Sequence, residues 1–220
     1  DPVKNHLQMN GIYRSEDSGT SWKAMSLPSS PETRSDGVDN DRDMISTDAD
    51  ENLLFSQNTA KFFTIAADRT NPNIVYVGAN SQPQLASTSV GLLNASARLF
   101  RGDANRTLSE QWEQIVGNRA DGTAPHADSR NMVVDAGGNL LEVDDGGIYR
   151  LENPGRNDSS RKWVSLNGNL QITEFFSVAY DPINHTIFGG AQDNSNIGQK
   201  ASGNTTWVNF SSGDGGIVQV

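Results

Sequence analysis

Cysteine is absent from the sequence, so neither disulfides nor thiolate metal sites can hold the chain together. Cationic residues are few: 17 Lys and Arg stand against 27 Asp and Glu, leaving a formal charge of −10. That balance repels phosphate backbones and anionic membrane surfaces, which excludes nucleic acid as the main partner. Long apolar runs are missing too, and none approaches the roughly 18 residues that span a bilayer. The three histidines, His6, His126 and His185, lie far apart and offer no zinc-type spacing. A G-x-S-x-G elbow, a phosphate-binding glycine loop and a dinucleotide fingerprint are all lacking, which removes nucleophilic hydrolase and nucleotide-dependent readings. The opening DPVKNHLQMN carries no apolar signal region and reads as a processed chain or as part of a longer one.

What the sequence does have is short Val, Ile, Phe and Tyr runs between clusters of Gly, Asn, Asp and Ser, with little helical periodicity. That is an all-β pattern. The runs recur in order. Trp112, Trp163 and Trp207 open the strands QWEQIV, KWVSL and TWVNF. Before them come ARLFRG, GIYRLE and NIGQKA, then VYVGA, LLEVDDG and TIFGGAQD, and first FFTIAAD, NMVVDAG and FFSVAYD. The last two Trp intervals, 51 and 44 residues, fall near the ~40–50 of a four-stranded propeller blade. The repeat predicts a β-propeller of four-stranded antiparallel blades at 61–117, 118–168 and 169–210. Residues 1–27 supply a partial blade, 28–60 an acidic insertion loop, and 211–220 the first strand of a further or closing blade.

Ser15-Glu16-Asp17-Ser18-Gly19-Thr20-Ser21-Trp22 fits the S-x-D-x-G-x-x-W Asp box in full. With HADSRNMVVDAGGNLLEVDDGGIYRLENP, FGGAQDN and SGDGG, the chain resembles the Asp-box (BNR), sortilin (Vps10)-like and xyloglucanase-like propeller repeat proteins. The resemblance covers most of 62–220 and speaks for the fold, because such repeats serve many functions. In the box itself Gly19 supplies a turn residue free to take positive φ, Asp17 and Ser15 bond the turn, and Trp22 is expected to cover it and pack between neighbouring sheets.

Ligands of a propeller usually meet the loops that lead into first strands and those between second and third strands. That rule gathers His126, Asp128 and Asp214 with Asp144 and Asp145, with Gln192, Asp193 and Asn194, and with Asn80, Ser81 and Gln82. These residues form the expected ligand face. Asp144, Asp145 and Asp214 are the candidates for paired catalytic carboxylates, though Asp-Gly-Gly and Gln-Asp-Asn are also ordinary turn formers. A sialidase would need three convergent arginines, and Arg130 and Arg150 do not nominate such a set. Asp39, Asp41 and Asp43, with Asp50 eleven residues after the first, form an alternating carboxylate run suited to calcium, although Met44 stands where a calcium loop needs Gly.

The expected function is a non-catalytic scaffold or binding module, secreted or at a bacterial cell surface, that recognises a polysaccharide or a protein through its loop face. A xyloglucanase-like glycoside hydrolase using paired aspartates is one alternative. A structural subunit pairing its sheet edges with other chains of a larger assembly is the other.

Overall fold

The computed structural model describes residues 11–31, 50–52, 62–81, 97–170, 173–211 and 213–220. It is all-β, with one short 3₁₀ turn at Leu108–Glu110. Among the described residues no helix is long and apolar enough to cross a membrane. The chain divides into two compact units, 1–166 and 167–220.

The first unit begins with a two-stranded sheet, β1 (Ile12–Arg14) and β2 (Lys23–Met25). Two three-residue strands, β3 (Ser29–Pro31) and β4 (Asp50–Asn52), pair antiparallel within the stretch that the sequence marks as a loop insertion. A four-stranded sheet follows, in order β5 (Thr64–Ala67), β6 (Ile74–Ser81), β7 (Ala97–Asp103) and β8 (Trp112–Gln114). The next has the same order: β9 (Asn131–Val134), β10 (Leu140–Asp144), β11 (Gly147–Glu152) and β12 (Lys162–Ser165). The second unit is one sheet, β13 (Phe175–Asp181), β14 (Thr186–Ala191), β15 (Ser195–Gln199) and β16 (Trp207–Asn209). All pairings are antiparallel between consecutive strands, as hairpin connections require.

Local chemistry explains the hairpins. At the β9–β10 turn, Asp135 Oδ1 accepts from the amides of Gly137 (2.8 Å) and Asn139 (2.9 Å). Between β10 and β11 the two-residue link Asp145-Gly146 closes with Asp144 opposite Gly147. There the Gly146 amide donates to Asp144 Oδ1 at 2.8 Å.

Strand alternation then decides packing. One face of β5–β8 carries Ile74, Tyr76 and Leu99 into a core shared with Met132, Val134, Leu140, Leu151 and Trp163. Its opposite face presents Val77 and Ala79 to Ile12, Met25 and Leu27 of the β1–β2 region. Each such aliphatic side chain, fully buried, contributes about 1.5–3 kcal/mol. Indole N–H groups lock the same interfaces. Trp112 Nε1 donates to the carbonyl of Ser26, and Trp163 Nε1 to that of Ile115, both at 2.7 Å. Each acceptor is the residue immediately after the outermost strand of the preceding sheet, β2 or β8.

Residues 213–220 form no strand, contrary to the expected first strand. Their amides are used elsewhere: Gly215 donates to Ala191 O at 2.8 Å, Gly216 to Asn196 Oδ1 at 2.9 Å, and Val218 to Ser177 Oγ at 3.2 Å. A segment bonded to the end of one sheet has no ladder left to offer.

Candidate functional site

In the first unit the segment leading into β9 meets the β10–β11 turn, both parts of the expected ligand face. Ser129 N donates to Ala79 O at 3.1 Å, and Ala97 N to Pro125 O at 3.2 Å, so 125–129 is fastened across the ends of β6 and β7. Gly78 permits this approach. A Cβ there would stand 2.5 Å from Ser129 Oγ and 2.6 Å from Thr64 Oγ1. Arg130 grips Asp145 with two parallel bonds, Nε to Oδ1 at 2.7 Å and Nη2 to Oδ2 at 2.9 Å, while its guanidinium lies 4.5 Å over the Phe62 ring. Carboxylate oxygens of Asp128 and Asp145 approach within 4.8 Å. Asp128 holds φ at +67°, a left-handed conformation that few side chains adopt without a local reason. His126 is buried, its Nδ1 3.0 Å from Ala127 O, and it packs on Gly146 so closely that no Cβ would fit there.

Beneath this turn lies a feature that sequence reasoning missed. Glu142 is fully buried on the face of β10 that also carries Leu140 and Asp144. At strict hydrogen-bond geometry neither Glu142 oxygen, nor Oδ2 of Asp144, has a donor. The Ser129 hydroxyl and the Asp144 carboxyl nevertheless lie close enough to Glu142 to shift its titration. Burial first, then the Asp144 charge, pushes the Glu142 carboxyl well above the carboxylate range. Burial raises Asp144 to about 6, while Glu142, His126 and the Gly146 and Gly147 amides pull it down. The pair therefore retains a proton at a pH where exposed carboxyls have lost theirs. The signal was present in the sequence: an acid in the middle of L-L-E-V-D, two residues from an apolar neighbour on the same strand face.

The second unit brings Gln192, Asp193, Asn194 and Asp214 together. Asp214 Oδ1 accepts from the Asp193 amide at 3.0 Å and from Gln192 Nε2 at 3.2 Å, and Asn194 Nδ2 donates to Gln192 O at 2.8 Å. Ser195 N donates to Gly213 O, and Gly215 N to Ala191 O, both at 2.8 Å. Asp193 and Ser195 hold left-handed φ values of +51° and +74°. These bonds repeat those of Ala97 and Ser129 in the first unit, with Gly190 in the place of Gly78 beneath the crossing segment.

The Asp box forms its turn through its own side chains. Asp17 accepts from the Ser21 amide (2.8 Å) and hydroxyl (2.6 Å) and from the Ser15 hydroxyl (2.9 Å), while Gly19 N donates to Ser15 Oγ (2.7 Å). Gly19 takes φ +90°. The Ser21 hydroxyl, the Ser21 amide and Ser15 together lower Asp17 to about 2. Trp22 departs from expectation. It lies beside Gly19 but remains 62% exposed and does not pack between sheets. Its successors Trp112, half-buried, and Trp163, buried, bond the residue after the sheet before their own, and among the described residues no sheet precedes β1–β2. With Tyr13, Trp22 instead lines a groove of about 870 Å³.

Asp39, Asp41, Asp43 and Gln82 lie outside the described residues. Asp50, Asn80 and Ser81 are described only as members of β4 and β6. Among the described residues, four other aspartates with lowered pKa serve turns: Asp68, Asp135, Asp158 and Asp181 each accept the amide two residues ahead, while Glu16 is lowered by its pairing with Lys23 and Arg14. No protein-family model matches the chain, and no curated protein sequence is significantly similar to it.

Proposed function

We propose that the chain is a β-propeller, or part of one, acting as a non-catalytic extracytoplasmic binding scaffold that recognises a polysaccharide or a protein through its loop face. The observation that carries this reading is the repeated loop pairing. In each unit a segment crosses the ends of a second and a third strand and is tied to them by backbone bonds, and an aspartate of the loops involved, Asp128 or Asp193, holds positive φ. Fixed loops of this kind lose little entropy on binding, which favours recognition.

The carboxylates support binding over hydrolysis. A retaining or inverting glycosidase needs two carboxyl groups about 5–9.5 Å apart on either side of an accessible bond. Glu142 is closed to solvent, and Asp145 is committed to Arg130 through both oxygens. The calcium expectation rests on Asp39, Asp41 and Asp43, which lie outside the described residues, and the proposal does not use it.

The test is an array of plant and microbial polysaccharides probed with the chain, run beside an assay for released reducing ends. Retention without release, weakened by Arg130→Ala or Asp193→Ala, is the expected result. Release of reducing ends that is lost in Asp145→Asn or Asp214→Asn would replace the proposal with a hydrolase.

A further inference from the structure

A polar cleft of about 410 Å³ takes no part in the loop face. It lies where the β5–β6, β9–β10 and β11–β12 turns meet, and antiparallel pairing puts those turns at the end of the sheets away from the β10–β11 turn. Every residue that lines it belongs to the first unit and to the described stretches. One wall comes from the 68–71 turn and from β6 and β7, the other from the glycine-bearing turns 137–139 and 153–156. The volume falls within the range of small-molecule sites.

Donors here outnumber open acceptors. Glu113 is one carboxylate set against two guanidinium groups, Arg161 at 3.0 Å and Arg101 at 3.4 Å. Arg101 lines the cleft beside Tyr76, its side chain only 12% exposed, and its Nε has no hydrogen-bond partner. An incompletely neutralised cation in such a place is costly. Arg156, on the facing wall, is exposed and makes no side-chain hydrogen bond or ion pair among the described residues. The neighbouring acids are spent. Asp68 Oδ1 accepts from the Thr70 amide (2.8 Å) and hydroxyl (2.9 Å) and from the Asn71 amide (3.0 Å), and its Oδ2 from the Tyr76 hydroxyl at 3.3 Å. Asp158, which feels the Arg156 charge, is held by the Ser160 amide and hydroxyl.

Two amide side chains complete the lining. Asn71 Oδ1 accepts the Asn73 amide at 3.1 Å, which leaves Nδ2 to donate. Asn139 Nδ2 donates to Asp135 Oδ2 at 3.2 Å, which leaves Oδ1 to accept. Guanidinium groups pair best with a carboxylate, and amides of both polarities suit hydroxyl groups.

We propose that this cleft binds a hydroxy carboxylate of monosaccharide size, a uronate, with Arg156 and Arg101 on its carboxylate and Asn71 and Asn139 on its hydroxyls. The site does not depend on the loop-face reading and shares no residue with it.

The probe is galacturonate, titrated calorimetrically into the whole chain at low ionic strength, beside galactose, which carries a hydroxymethyl group in place of the carboxylate. Saturable one-to-one binding of galacturonate is expected, with galactose and acetate each weaker by at least about tenfold. Arg156→Gln, at an exposed position, and Arg101→Gln, which leaves Glu113 to Arg161, should each weaken galacturonate at least about tenfold. Arg130→Ala and Asp193→Ala, on the loop face, should leave it unchanged. Trigalacturonate that binds more tightly than the monomer assigns the cleft to the end of an acidic polysaccharide, and equal binding assigns it to the free sugar acid. Absence of saturable binding up to tens of millimolar galacturonate overturns the proposal. So does equal affinity for galactose or acetate, or binding that survives both Gln variants. Binding lost in Arg130→Ala would place the acid on the loop face and overturn it as well.

Discussion

Glu142 and Asp144 stand two residues apart on the buried face of β10, and the burial that protonates one places it beside the other's charge. A carboxyl with a folded pKa above its unfolded value binds its proton more tightly in the folded chain. Its contribution is therefore full at acid pH and is lost as pH rises through the folded pKa. For Asp144 that window runs from 3.8 to about 6, and Glu142 extends it upward. Glu142→Gln keeps the shape and removes the titration. Urea unfolding at a series of pH values should show a flatter profile for the variant and a gain of about 1–3 kcal/mol near neutral pH. A profile as steep as the parent's would mean that Glu142 does not hold the proton.

Glu113 bridges two guanidinium groups, Arg161 at 3.0 Å and Arg101 at 3.4 Å, and Arg161 is fully buried. Removing the acid leaves a cation in the interior. Glu113→Ala should cost about 3–5 kcal/mol in unfolding free energy, and the double variant Glu113→Ala with Arg161→Met should recover most of it.

The two crossing-segment glycines should differ in how they fail. At Gly78 a Cβ meets side-chain atoms of Ser129, Thr64 and Leu99, which can turn aside, so Gly78→Ala should cost about 1–3 kcal/mol. At Gly190 it meets the backbone of Gly216, which cannot rotate away. Gly190→Ala should release 213–216, seen as faster hydrogen exchange at the Gly215 amide that bonds Ala191.

Asp17→Ala should loosen the Asp-box turn without unfolding the unit. The Ser21 amide loses its acceptor and should exchange several-fold faster, while the amides of the β9–β10 hairpin stay as they are. Because Asp17 is lowered to about 2, its contribution is present above 3.8 and fades as pH falls from there through about 2. Exchange at Ser21 in the parent should therefore quicken, relative to its intrinsic rate, only in strong acid.

Legibility in the sequence followed the range of the interactions. The DAGGN and DDGG turns and the Asp box were readable because each acid bonds amides a few residues away. Strand order was readable because alternation and Trp spacing repeat. Trp22 stays exposed, against expectation, because the burial of an indole depends on which sheet stands before it, and the motif holds no record of that. The strand expected at 213–220 is absent because its amides are claimed by Ala191, Asn196 and Ser177, partners 20 to 41 residues away. The sequence reading placed Asp144 on an open loop face, while the structure pairs it downward with Glu142, a residue whose only signal was its phase in β10.

The tryptophan bonds run in one direction. Trp112 and Trp163 each reach back to the residue after the preceding sheet, while Ser26 donates forward to Leu108 O and Gln111 Oε1. Loss of Trp163 removes a tether from the chain around Ile115 but leaves Trp112 and its hold on Ser26 in place. Coupling between nearest neighbours then makes order along the chain resemble a row of leaning tiles, where lifting a late tile frees the edge of the one beneath and spares those further back. Damage in such an arrangement is graded by position, and the first unit can surrender its last sheet while keeping its first.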